Sequence, residues 1–158
     1  MDVGLVLALW LHTLGFVTVM GYYGVLGRIV IPAIERSLDG SAQATALKAI
    51  ERRAMPLVLL SVVLFAITGA YLLVVDAKFE GLGSFFASTW TTLMLVKHLV
   101  VIVLVALGVA VDVLIRRLSL AASKPDRRSD LLRIELAAEG ATGLGALVVL
   151  LTAAAQLA

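Results

Sequence analysis

Cysteine is missing from all 158 residues. That excludes disulfides, thiolate metal sites and iron–sulfur clusters, and leaves histidine, methionine and oxygen as the metal ligands available. Charge is scarce as well: 15% of residues are Asp, Glu, Lys or Arg, against 61% hydrophobic. A soluble domain of this length cannot bury that much apolar surface, and a mean hydropathy of +1.07 places the chain in a bilayer. Gly-rich phosphate loops, clustered carboxylates and a Ser-His-Asp set are absent, which removes the common hydrolase classes; Gly81-Leu82-Gly83-Ser84-Phe85-Phe86 is too weak a pattern for a nucleotide loop. The N-terminus lacks a basic n-region and a cleavage site, so the first apolar span is expected to stay in the mature protein.

What charge there is lies in blocks. Eleven of the thirteen Lys and Arg residues fall in 28–53 and 116–133, flanking hydrophobic runs with no aromatic residues between them. This pattern gives no basis for nucleic-acid binding and reads as a topology signal instead. The runs themselves predict an all-α, single-domain integral membrane four-helix bundle with spans at about 3–31, 54–75, 90–115 and 131–157. With both basic blocks inside, the termini and the middle loop lie outside: N-out, C-out, multi-pass in the cytoplasmic (inner) membrane of a prokaryote. Asp39-Gly40-Ser41 reads as a turn, with Ser41 able to cap a short helix over 42–53, separate from span two and its early Pro56. Trp10 and Trp90 fit an outer aromatic belt. Glycines 15, 24, 27, 69, 108, 140, 143 and 145 permit close helix contact or leave room for a flat ligand.

The two histidines, His12 and His98, both lie inside spans. Each sits about nine residues from the outer start of a span running in the same direction, so both imidazoles are expected roughly 13 Å below the outer boundary. An imidazole there needs a partner, since an unsatisfied polar group in hydrocarbon is costly. Two at one depth point to a shared metal or haem; the bland reading is hydrogen bonding between helices. Two imidazoles suit the opposite faces of a haem iron. Copper is the rival, because Met94 lies one turn from His98 and offers a soft thioether; Met20 stands two turns inward of His12. The ordinary role of each Met is core filling. Lys97 either snorkels to the outer surface or meets an anion such as a haem propionate. Asp112 and Arg116 read as a local ion pair, Glu135 and Glu139 as partners for Arg52, Arg53 or Arg133, and Tyr22, Tyr23 and Tyr71 as hydrogen-bonding support.

Three segments carry a family resemblance. MPLVLLSVVLFAITGAYLLV (55–74), STWTTLMLVKHLVVIVLVALG (88–108) and LLRIELAAEGATGLGALVVLLTAAA (131–155) resemble the second, third and terminal spans of the CopD-like copper-resistance membrane domain. That family is associated with copper uptake. The four-span plan, with His12 in span one and Lys97 in span three, is also similar to HemJ, a haem-binding protoporphyrinogen oxidase family. The HemJ terminal span carries Asn-Glu-x-Pro where this chain has Ile134-Glu135-Leu136-Ala137. The leading expectation is a b-type haem held between His12 and His98, with Lys97 beside it. Its role would be redox: electron transfer to a partner, or oxidation of a small-molecule or gas substrate. The alternative is a CopD-type copper-binding or copper-transport protein using His12, His98 and Met94 on a copper ion. A structural membrane subunit comes third. The lipid bilayer is the expected partner in every case, and a homodimer is left open.

Overall fold

A computed structural model describes residues 2–79, 81, 86–120 and 127–158. The Lys124-Pro125-Asp126 part of the second basic loop and Phe85 of the middle loop lie outside the described residues. The elements are α1 (Val3–Val25), one wide π-helical turn (Leu26–Val30), α2 (Ile31–Ser37), α3 (Gly40–Val75), α4 (Thr89–Leu120) and α5 (Arg127–Gln156). Among the described residues, four helices are long and apolar enough to cross a membrane: Val3–Ser37, Gly40–Val75, Thr89–Leu118 and Arg128–Gln156. Their outward side chains are themselves apolar. Ile67, Val74, Ile102 and Leu150 are 63–67% exposed, a surface suited to lipid rather than water.

Local chemistry sets the helix ends. Asp2 caps α1 by accepting from the Gly4 N–H at 2.8 Å. Ser88 and Thr91 cap α4 reciprocally: each backbone N–H donates to the other's hydroxyl, at 3.1 and 3.2 Å. The π turn precedes Pro32, which has no N–H to return to the Arg28 carbonyl and whose ring would crowd that carbonyl; one wider turn accommodates both.

The expected break before span two does not occur. Gly40–Val75 is one helix of 36 residues with Pro56 inside it and Asp39, not Ser41, at its N-cap. Pro56 deprives only the Arg52 carbonyl of a partner. That residue is exposed near the basic end, where water or lipid headgroups can serve.

Each long helix buries a stripe at alternating three- and four-residue steps. On α3 it runs Ala44, Leu47, Glu51, Val58, Ser61, Thr68. On α5 it runs Leu131, Ile134, Ala138, Ala141, Val148, Ala155. This is the seam of coiled-coil-like packing. The broad contacts are α1 with α3 and α4 with α5; α1 with α5 and α3 with α4 close the ring, leaving α1 and α4 on the diagonal.

Tyr23 of α1 spans that diagonal. A Cβ placed on Gly108 of α4 would lie 3.2 Å from Tyr23 Cζ and closer still to its hydroxyl. Gly108→Ala is therefore expected to destabilise the bundle by about 1–3 kcal/mol, because a rigid, buried phenol cannot yield. Gly143→Ala, where a Cβ meets nothing within 4 Å, is the neutral comparison. Thermal unfolding in detergent checks the pair, and equal melting would remove the contact from the account.

Candidate functional site

Among the described residues, two clusters of interior polar groups stand out, one toward each end. The first surrounds His12. This residue continues the inward stripe of α1, between buried Ala8 and Gly15, and its ring leaves α1 to lie against α3. It stacks on Phe65 with centroids 4.2 Å apart and planes inclined by 17°. Nδ1 lies 3.0 Å from the Phe65 carbonyl oxygen and 3.1 Å from Thr68 Oγ1. A carbonyl only accepts, so Nδ1 carries the hydrogen. The Thr68 hydroxyl donates to the Leu64 carbonyl, leaving its oxygen able to accept from His12 as well. The neutral imidazole is thereby fixed in the tautomer whose Nε2 bears a lone pair. Gly69 provides the space: its own Cβ would come within 2.8 Å of His12 Cε1.

His98 reaches the same electronic state by a local route. Its Nδ1 lies 2.6 Å from the Met94 carbonyl one turn earlier, so Nδ1 donates and Nε2 is again the lone-pair nitrogen. His98 stands one position off the inward stripe of α4, which runs through Trp90, Met94, Lys97 and Leu104. Both Lys97 and His98 are near enough to His12 to act on it electrostatically. The ammonium of Lys97 in turn feels the Asp76 carboxylate at the end of α3, consistent with a stem that snorkels outward.

Met94 is 8% exposed and packs with Trp90 and Ala155, among Leu73, Phe79 and Leu93. Trp90 belongs to that cluster and is 5% exposed, so of the two expected belt residues only Trp10, 59% exposed, faces outward. Met20 lies directly against Gly145 of α5. The spaces over Gly69, Gly108 and Gly145 are thus filled by His12, Tyr23 and Met20, and these glycines serve close packing rather than a flat ligand. Among the described residues no three His, Cys, Asp or Glu side chains group to hold a metal ion.

The second cluster sits at the basic end, and sequence reasoning missed its central member. Glu51 is 8% exposed on the α3 stripe. Its carboxylate lies 3.6 Å from Arg116 Nη2, while Asp112 holds Arg116 Nε at 2.9 Å, the local pair expected from the spacing. Among the described residues, Asp112 Oδ1 and the Tyr22 hydroxyl are buried and meet no hydrogen-bond partner, and Tyr22 lies within electrostatic reach of both carboxylates. Glu139 meets Arg28 at 4.0 Å, not Arg52, Arg53 or Arg133, because the π turn packs beside α5. This pair and Arg128–Glu35, at 3.5 Å, are largely exposed and contribute little.

A family model described as copper resistance protein D matches residues 48–155, covering most of α3, all of α4 and all but the last residue of α5, but not His12. No curated protein and no solved structure matches the chain.

Proposed function

We propose, since this chain belongs to the copper resistance protein D family, that it handles copper ions within the membrane, with His12 and His98 as its nitrogen donors. The observation carrying this reading is that both imidazoles commit Nδ1 to a main-chain carbonyl, 3.0 Å away for His12 and 2.6 Å for His98, and so keep Nε2 for a metal. Imidazole nitrogen is a good copper ligand, and a ligand oriented by its other ring nitrogen binds more tightly. Copper is the cargo here, and Met94 remains a packing residue. By the positive-inside rule the basic end faces the cytoplasm of a prokaryotic inner membrane, which puts both termini and the histidines toward the outer side.

Two imidazoles on diagonal helices can take an ion from the outer surface and replace its water in the dry half of the bundle. The carboxylates at the basic end, already engaged with Arg116, are hard oxygen donors ill suited to Cu(I).

The test is a copper titration of detergent-purified protein against a chromophoric Cu(I) competitor. We expect about one copper per chain, weakened about a hundredfold in His12→Gln and at least tenfold in His98→Gln. Unchanged affinity in both variants would reduce the histidines to holding helices together. Sharp visible α and β bands with bound iron instead of copper would overturn the reading in favour of haem b.

A further inference from the structure

A groove of about 600 Å³ opens between α3 and α4 at the basic end. Its walls change character along the helix axis. Lys48, Arg52 and Arg116 surround one part, with Leu120 one turn past Arg116 at the same end; Met55, Pro56 and Leu59 line the other, with Glu51 and Ile115 at the back. The change falls where the hydrocarbon should begin. From Pro56 to Val75, twenty residues at ~1.5 Å each span about 30 Å, the thickness of the bilayer core. The cationic part therefore lies at headgroup level and the apolar part just inside.

The cations are arranged for an anion. Lys48 and Arg52 stand one turn apart on the same helix face, a like-charge pair that is unfavourable without a counter-charge between them. Neither belongs to any ion pair among the described residues; Lys48 acts on Glu51 only at longer range. Arg116 is held in place by Asp112 and Glu51 while its side chain stays 64% exposed. Glu51 and Asp112 are the carboxylates beside these three cations, and Arg116 engages both, which leaves the charge of Lys48 and Arg52 for an anion.

We propose that this groove binds an anionic phospholipid, with its phosphate between Lys48, Arg52 and Arg116 and the start of its acyl chains on Met55, Pro56 and Leu59. The polarity of the walls favours an amphiphile over free phosphate, which would leave the apolar part uncovered. Basic pockets between helices at the cytoplasmic boundary are where such headgroups bind.

Native mass spectrometry of the detergent-purified full chain tests this directly. Phosphatidylglycerol and phosphatidylcholine with identical acyl chains are offered in turn, with inorganic phosphate as competitor. We expect phosphatidylglycerol to be retained about tenfold more than phosphatidylcholine, and Lys48→Gln/Arg52→Gln to abolish the difference. Arg53→Gln makes the same kind of charge change one residue outside the groove and should leave retention intact; a melting curve confirms that each variant is folded. Equal retention of the two lipids overturns the proposal, as does an equal loss in Arg53→Gln. Displacement of phosphatidylglycerol by millimolar phosphate would show that the apolar wall contributes nothing, and would also overturn it.

Discussion

Arg116→Met is expected to destabilise the protein by about 2 kcal/mol and to make its stability depend on pH. The guanidinium bridges Glu51 on α3 and Asp112 on its own helix, at 3.6 and 2.9 Å. Removing the cation from a buried pair costs roughly 3–5 kcal/mol, because an uncompensated charge stays behind. Here the carboxylates are 10% and 20% exposed but the guanidinium is 64% exposed, so solvent already screens part of the attraction and brings the cost below that range, to about 2 kcal/mol. The direction with pH follows from which state binds protons more readily. Burial, and then the neighbouring Asp112 carboxylate, push the Glu51 carboxyl up while Arg116 opposes them; without Arg116 the folded state binds the Glu51 proton more readily than the unfolded state, so acidification stabilises the folded variant relative to neutral pH. Thermal melts in detergent between about pH 7 and about pH 5, across the upper range of carboxylate protonation, measure it. Glu51→Gln/Asp112→Asn/Arg116→Met removes all three charges and should recover most of the loss. If Arg116→Met alone melts like the parent at every pH, the bridge between α3 and α4 carries no stability.

Why Glu51 escaped the sequence reading follows from how the helices were delimited. Hydropathy located the four spans because long apolar runs with basic flanks have few other solutions. It placed the second span's start near Pro56, and Glu51 then looked like one charge in a solvated basic stretch. The helix passes through the proline, and the inward stripe Thr68, Ser61, Val58 continues backward without a change of phase to Glu51, Leu47 and Ala44. Extending the three-and-four spacing through the proline would have found it. The π turn had a weaker signal, since Pro32 reads equally well as a kink or a helix end. Trp90 misled for another reason: at a span's edge an indole suits the interface, yet the same position lies on the α4 stripe with Met94 and Lys97, and packing against Ala155 of α5 wins. The sequence puts His12 and His98 on the first and third spanning helices, as the structure does, but ring orientation depends on neighbours that hydropathy does not specify. The Phe65 carbonyl and the Met94 carbonyl are contacts of the folded chain.

Gly69→Ala is expected to weaken copper binding about ten- to a hundredfold although every proposed ligand remains in the protein. The new methyl would sit 2.8 Å from His12 Cε1 and 3.3 Å from Nδ1, nearer than carbon atoms approach, so something must move. The backbones have no slack. One turn or so further along, Gly15 of α1 already meets α3 so closely that a Cβ there would lie 2.8 Å from the Ser61 carbonyl. The imidazole cannot slide toward Phe65 either, because that ring is stacked against it at 4.2 Å. It must rotate out, and rotation breaks the Nδ1 bonds to the Phe65 carbonyl and the Thr68 hydroxyl. A ring without those partners no longer keeps its hydrogen on Nδ1, and Nε2 ceases to be a fixed donor. Losing such an orienting contact typically costs this much in metal affinity. Thr68→Val should be milder, since the Phe65 carbonyl still holds the hydrogen. Imidazole nitrogen-15 chemical shifts read the tautomer without any copper present: the parent should show the Nδ1–H form at residue 12, and Gly69→Ala a mixture. A folded Gly69→Ala protein with the parent's shifts would mean that the ring does not rest on Gly69. Parent-like copper affinity alongside a changed tautomer would mean that His12 does not hold the ion.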